Sequence, residues 1–338
     1  MALIDFFGFE SGIIPSEFLA SGASVVNSAP NSRTGDYYLD VPEPDNPTVN
    51  AFVDVQVNSI FAGFGIYPVG ADAGEFFHIS RVGADDYLRA TINSTGVVSM
   101  GSDTNLGGAF YISYGTFMLP QDEWSYVEIE WLSDNTTGVV RVRVNGAIPA
   151  GWSDTTSGDT QVNSTAASIA EVGWSKDSSQ GSPVRVDDVY IGDSTSGFGF
   201  LGPVEVHGLG PDGSGTSDFL GSDANSVDNH LLLDELPVDV TDYVESSTVA
   251  DRQLVTLENM PSVDSVIAVK VEAYGLDTEG GGQAVDVIAR SVATESSTTK
   301  VLGSGADIES HIALLDPNGD IAWTEGAVNA LSVGVEVA

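Results

Sequence analysis

Apolar and polar residues alternate along most of this chain with a period of two, in short segments separated by Gly, Asn, Asp and Ser. Helical periodicity is nearly absent. Because side chains on a strand point alternately to opposite faces, this pattern predicts antiparallel sheets with one dry and one wet face. In the first two hundred residues it predicts strands at Ala51 to Ser59, Glu75 to Val82, Tyr87 to Asn93, Ser125 to Leu132, Val139 to Asn145 and Val184 to Ile191. A second group follows Gly202: Gln253 to Leu257, Ser265 to Tyr274, Ala284 to Ser291 and Ala330 to Val337. In the second group Ile267, Val269, Val271 and Ala273 are expected inside, with Lys270 and Glu272 in water. The fold class is all-β.

The segment "DEWSYVEIEWLSDNTTGVVRVRVNG" puts two carboxylates on one strand and two arginines on the next. Val127, Ile129 and Trp131 share one face, leaving Glu128 and Glu130 opposite, and Val140, Val142 and Val144 similarly leave Arg141 and Arg143. A turn between Asn135 and Thr136 sets Glu130 across from Arg141 and Glu128 across from Arg143. Opposite charges so placed contribute roughly 0.2 to 1 kcal/mol each, so the acids are expected to set register rather than to do chemistry. A glycoside hydrolase would need two carboxylates roughly 5 to 9.5 Å apart, one with a raised pKa. Glu128 and Glu130 satisfy the spacing, but the third acid of a Glu-Asp-Glu series at i, i+2 and i+5 is missing, since position 133 is Ser.

With 338 residues, the chain is long enough for two domains. The Gly, Ser and Asp-rich run "GLGPDGSGTSDFLGSDANSVDNH" reads as a linker or exposed loop. The expected division is residues 1–202 and 203–338, the latter beginning with that exposed run. No apolar stretch approaches the roughly 18 to 20 residues needed to cross a bilayer, so no membrane partner is expected. The opening "MALIDFFGFESG" lacks the basic leader and apolar stretch of a Sec signal. With no cysteine, disulfides and thiolate metal sites are excluded. The formal charge of −38, from 49 acidic and 11 basic residues, repels phosphate, so no nucleic-acid partner is expected.

Few motifs carry chemistry. His78, His207, His230 and His311 are scattered, without metal-ligand or catalytic spacing, and read as structural. No G-x-S-x-G follows a strand, so no nucleophile elbow is present. Calcium is the ligand that the composition fits best, because hard cations take carboxylate oxygens from irregular loops. Two places could offer them: Asp187, Asp188 and Asp193 around "RVDDVYIGD", and Asp316, Asn318 and Asp320 in "DPNGD", which is also a strong turn signal. Tyr114, Trp152 and Trp174 lie where aromatic rings could stack on a glycan; the alternative is core packing.

The segments "IDFFGFESG", "EWSYVEIEW", "TGVVRVRVNG" and "VRVDDVYIGD" resemble the laminin-G or concanavalin-like jelly roll of many bacteriophage structural proteins. The segments "VDNHLLLDELPVDVTDYVESS", "LENMPSVDSVIAVKVEAYG" and "WTEGAVNALSVGVEV" resemble the C-terminal half of tail-fibre-like or virion-decorating proteins. The resemblance spans nearly the whole chain, but its motifs are strands and turns. It implies a jelly-roll sandwich followed by a smaller β-sandwich, and no catalytic residue carries over. It departs at Leu201, Gly202 and Pro203, where Leu-Gly-Asp is common; Pro203 has no N–H, which implies an edge or a bend.

The function expected on this basis is that of a non-enzymatic virion protein. It would decorate the capsid or form part of the tail or its fibres, as a homo-oligomer such as a trimer, assembled in the host cytoplasm among capsid or tail subunits. The alternative is an adhesin for a host-surface glycan, assisted by calcium.

Overall fold

The computed structural model describes residues 2–14, 18–20, 23–27, 32–41, 48–70, 74–81, 84–103, 112–153, 156–160, 169–175, 184–193, 199–235 and 238–338. The chain divides into two compact units, Met1–Val206 and His207–Ala338. Residues 203–206, expected in the second domain, stay with the first unit because Val204 packs on its outer apolar cluster.

The first unit is a sandwich of two antiparallel sheets. One runs Thr156–Gly158, Gly138–Val144, Ser125–Leu132, Ser59–Pro68, Val184–Asp193, Tyr37–Val41 and Ser24–Asn27, with Ala2–Phe7 also paired to Val184–Asp193. The other runs Ile112–Met118, Val97–Asp103, Ala84–Ile92, Gly74–Arg81, Ile169–Ser175, Thr48–Val57 and Phe18–Ala20. Alternate side chains from both sheets meet in one core that includes Phe64, Ile66, Phe77, Leu88, Val142 and Trp174. Phe64 and Phe77 stack at 4.8 Å, and Trp174 meets Phe64 edge-on at 5.4 Å.

The strand at Ser59–Pro68 was not anticipated, since nearly every residue of it is buried and no alternation betrays it. Its outer face is closed by a strap, residues 199–206. Phe200, Leu201 and Val204 of the strap pack on Phe61, Tyr126 and Tyr190, and Phe200 meets Phe61 edge-on at 5.2 Å.

In the second unit a five-stranded sheet runs Pro211–Ser217, Arg252–Leu257, Leu331–Val337, Ala284–Ser291 and Thr294–Val301. A separate two-stranded sheet, Val269–Gly275 paired antiparallel with Asp307–Ala313, supplies Val271 and Ala313 to a core shared with Val287, Ala289 and Leu331. Trp323 closes this core, donating its indole N–H to the carbonyl of Ala313 at 2.9 Å. A one-turn helix, Glu325–Asn329, is capped by Thr324, whose hydroxyl accepts from the N–H of Ala327.

Two expectations need correction here. The run after Gly208 is not simply a linker: Pro211–Ser217 pairs with Arg252–Leu257, with irregular register that follows from its glycines. Lys270 does not stand in water, since its side chain is 4% exposed and pairs with Glu272 at 3.0 Å.

Candidate functional site

The Glu128 and Glu130 hairpin has the expected register, Glu128 opposite Arg143 and Glu130 opposite Arg141. Glu130 takes its ion pair from Arg141 at 2.7 Å. Glu128 does something the alternation did not foresee. Its carboxylate, closed to solvent, accepts from the Tyr190 hydroxyl at 2.7 Å and from the N–H of Gly202 in the strap at 2.9 Å. Arg143 lies over the ring of Phe200 at 4.8 Å. Both acids are thus tied into the framework, and neither is an exposed proton donor.

Asp187 and Asp188 are fully buried at a bulge in Val184–Asp193, where Asp188 adopts a left-handed backbone. Asp187 accepts from the N–H groups of Arg33 at 3.0 Å, Thr34 at 3.3 Å and Asp188 at 2.8 Å. Asp188 accepts from the Arg33 guanidinium, from the Thr34 hydroxyl at 2.5 Å and from the N–H of Val206 at 2.7 Å. The same guanidinium donates to the carbonyl of Val204 at 2.5 Å and lies over the Tyr126 ring at 4.7 Å. Burial raises the pKa of both carboxyls, Asp188 raises that of Asp187 further, and Arg33 offsets part of the rise at Asp188. Glu10 stands nearby: burial pushes its carboxyl up to about 7, against a hydrogen bond from the N–H of Asp36 at 3.1 Å.

These oxygens are spent on amide, hydroxyl and guanidinium donors that fasten the strap. Asp193 lies at the far end of the strand, opposite Ala2 and Ile60, so the three aspartates are not brought together. Asp316, Asn318 and Asp320 form a turn: Asp316 bridges to Ile321 and accepts from the N–H of Asn318 at 2.8 Å, while Asn318 and Asp320 are exposed. Among the described residues no three His, Asp or Glu side chains are grouped to hold a metal ion.

The aromatic candidates also have structural roles. Trp174 is wholly buried, and Trp152 is buried against Phe117 at 5.9 Å. Tyr114 is half-buried, its hydroxyl 2.5 Å from that of Ser102. The two tryptophans are closed to a sugar ring because their indoles are core.

What the sequence did not reveal is a polar cluster on the outer face of the other sheet. Phe77, Ile79, Leu88, Ala90, Val172 and Trp174 point into the core, so His78, Ser80, Arg89 and Glu171 between them point away from it. A bulge between Glu75 and Phe77 turns Glu75 to the same face. His78 lies 3.3 Å from Glu75 and 3.8 Å from Glu171, Arg89 3.1 Å from Glu75, and Ser80 donates to Glu171 at 3.0 Å. Burial pulls the His78 pKa down, but Glu171 and Glu75 outweigh it and the net shift is upward. His78 in turn lowers Glu171. His78 and Arg89 are almost wholly buried, while Glu171 keeps 23% of its side chain in solvent. The visible signal was the alternation in "FFHIS" and "YLRAT", where polar residues sit between core residues.

No family model matches the chain, and no curated protein does. Among solved structures, the chain is similar to alginate lyase Aly36B (13% identity, TM-score 0.37, covering 48% of this chain and 82% of that one). It is similar to the Crh5 transglycosylase in complex with NAG (14%, TM-score 0.39, 57% and 86%). It is also similar to lectin II from Ulex europaeus (12%, TM-score 0.37, 56% and 99%).

Proposed function

We propose that the chain is a non-enzymatic assembly and adhesion protein of a bacteriophage virion, on the capsid, tail or fibres, working as a homo-oligomer among other virion subunits. One observation carries this reading. Among the described residues, the large apolar side chains left in solvent belong to the second unit, apart from Met118 and Ile148. The acids of the first unit that resemble a catalytic pair are meanwhile locked into its framework. Exposed apolar surface of this kind marks protein contacts. The resemblance of the quoted segments, the absence of cysteine and the charge of −38 support a virion protein assembled in the host cytoplasm.

The test is the composition of purified particles. A fixed stoichiometry of this chain in banded virions, located by imaging in their density, is expected; its absence from particles ends the proposal.

A second reading, binding of a host-surface glycan by the outer face of the Gly74–Arg81 sheet, would rest on Glu171, which keeps 23% of its side chain in solvent while His78, Glu75 and Arg89 beside it are buried. It predicts retention on a glycan array that Glu171→Gln weakens. Equal loss on adding a chelator would indicate calcium assistance.

A further inference from the structure

The segment Leu220–Val249 has an inverted arrangement of polar and apolar residues. Asn229 is 1% exposed, its amide donating to the carbonyl of Phe219 at 3.1 Å and to the side chain of Gln253 at 2.8 Å. Two and four residues later, Leu231 and Leu233 stand 56% and 36% exposed. Val227, Val240, Tyr243 and Val249 are exposed as well.

The order of the segment comes from polar contacts. Leu220–Gly221 pairs with Val244–Glu245, Asp223 and Asp239 accept from N–H groups two residues on, and Ser246 donates to Asp251 at 2.6 Å. The apolar side chains therefore contribute little to the fold that presents them, although exposing them costs free energy. Apolar side chains presented in this way are expected where a partner covers them.

The charge of the segment selects the partner. From Val186 to Asp251 the sequence contains no Lys or Arg, while Asp223, Asp228, Asp234, Glu235, Asp242 and Glu245 all fall within the segment. A second copy would set these acids against their own kind, and like-charge juxtaposition disfavours association. An anionic lipid surface is disfavoured for the same reason.

We infer that Leu220–Val249 is a docking segment for a different protein, whose complementary surface combines apolar side chains with Lys or Arg. This rests on the assembly reading above and names the chemistry of one partner.

The probe is a short amphipathic helical peptide of Leu and Lys, with Leu/Glu and Ser/Lys peptides as controls, titrated against the full chain by fluorescence anisotropy. The Leu/Lys peptide should bind at least about tenfold more tightly than either control and weaken as salt screens the charges. Combined Leu231→Ser, Leu233→Ser and Tyr243→Ser, which keeps every charge, should cost about tenfold; so should Asp234→Asn with Glu235→Gln, which keeps every apolar group. Circular dichroism and thermal melting of each variant separate lost docking from lost fold. Equal binding by the variants and the parent chain overturns the inference.

Self-association in sedimentation equilibrium that the Ser variant abolishes would overturn it in favour of a second copy. Flotation with neutral phosphatidylcholine vesicles lost in that variant would overturn it in favour of a lipid surface. If the chain proves absent from particles while the peptide results hold, the docking chemistry stands and only the virion setting falls.

Discussion

The phenol of Tyr190 donates to the carboxylate of Glu128 at 2.7 Å, and both side chains are closed to solvent. The same carboxylate accepts from the N–H of Gly202, and the Tyr190 oxygen from the N–H of Leu201 at 3.3 Å, so the pair fastens the strap to the sheet. Tyr190→Phe leaves buried partners unmade and should destabilise the first unit by about 1 to 3 kcal/mol in urea unfolding. Glu128→Gln keeps an acceptor oxygen for both donors and should cost less than Tyr190→Phe. The reverse order would mean that the charge of Glu128, rather than its bonds, matters.

Arg141 and Glu130 give a contrasting case. Arg141 is 43% exposed, so solvent screens the pair and it is worth no more than about 1 kcal/mol. Arg141→Ala should change the unfolding midpoint little, and raising the salt concentration should narrow even that difference. A loss above about 2 kcal/mol would show that the arginine stem packs on the sheet.

These two pairs show how far the sequence could be read. The register of the hairpin of Ser125–Leu132 and Gly138–Val144 was legible, although the second strand lies one residue earlier than the expected Val139 to Asn145, because charged and apolar residues alternate on both strands and bury the apolar face. Ser59–Pro68 was not, because a strand covered on both faces shows no alternation. The position of Glu75 beside His78 depends on a bulge, one extra residue that no period reveals. The strap was hidden for another reason: Leu201, Gly202 and Pro203 have the composition of a boundary, and the apolar cluster under Phe200, Leu201 and Val204 together with the buried carboxylates of Glu128 and Asp188 explains why the strap lies down on the sheet.

Glu10 makes stability depend on pH. In the unfolded chain its carboxyl ionises in the ordinary range; in the fold burial holds it up to about 7. Between those values the folded state keeps a proton that the unfolded state has lost, so the contribution is present at low pH and is lost as pH rises through about 7. Glu10→Gln should flatten the fall in stability between about pH 5 and pH 8. Measuring unfolding across that range in both proteins tests this, and an unchanged slope would assign the fall to Asp187 and Asp188, whose raised pKa values act with the same sign.

Gly334 sits in the middle of the second unit's sheet, opposite Leu254 and Ile288. A Cβ at this position would fall on the carbonyl oxygen of Gln253, backbone that cannot move without opening the ladder. Gly334→Ala should therefore cost the second unit about 3 kcal/mol or more. Hydrogen exchange should report the loss in Arg252–Leu257 and Leu331–Val337 while protection in Ser125–Leu132 persists. Uniform loss along the chain would mean that the two units unfold as one.

His78 gives the last prediction, and its sign differs from that of Glu10. An imidazole whose folded pKa lies above its unfolded value of about 6.5 binds its proton more tightly in the fold. Its contribution is fully present below that unfolded value and is lost as pH rises through the folded one. Glu171, lowered by the same pair, contributes above the ordinary carboxylate range and loses its share in acid. The cluster is thus most stabilising in mildly acidic solution, where the imidazolium and both carboxylates coexist. His78→Gln preserves size and hydrogen bonding but removes the cation, leaving Glu75 and Glu171 on one face with Arg89 as counter-charge among the described residues. The stability gap between His78→Gln and the parent chain should be widest near pH 6 and should narrow toward pH 9. A gap that stays constant with pH would mean that His78 is held as the neutral ring, with Arg89 on Glu75 and Ser80 on Glu171.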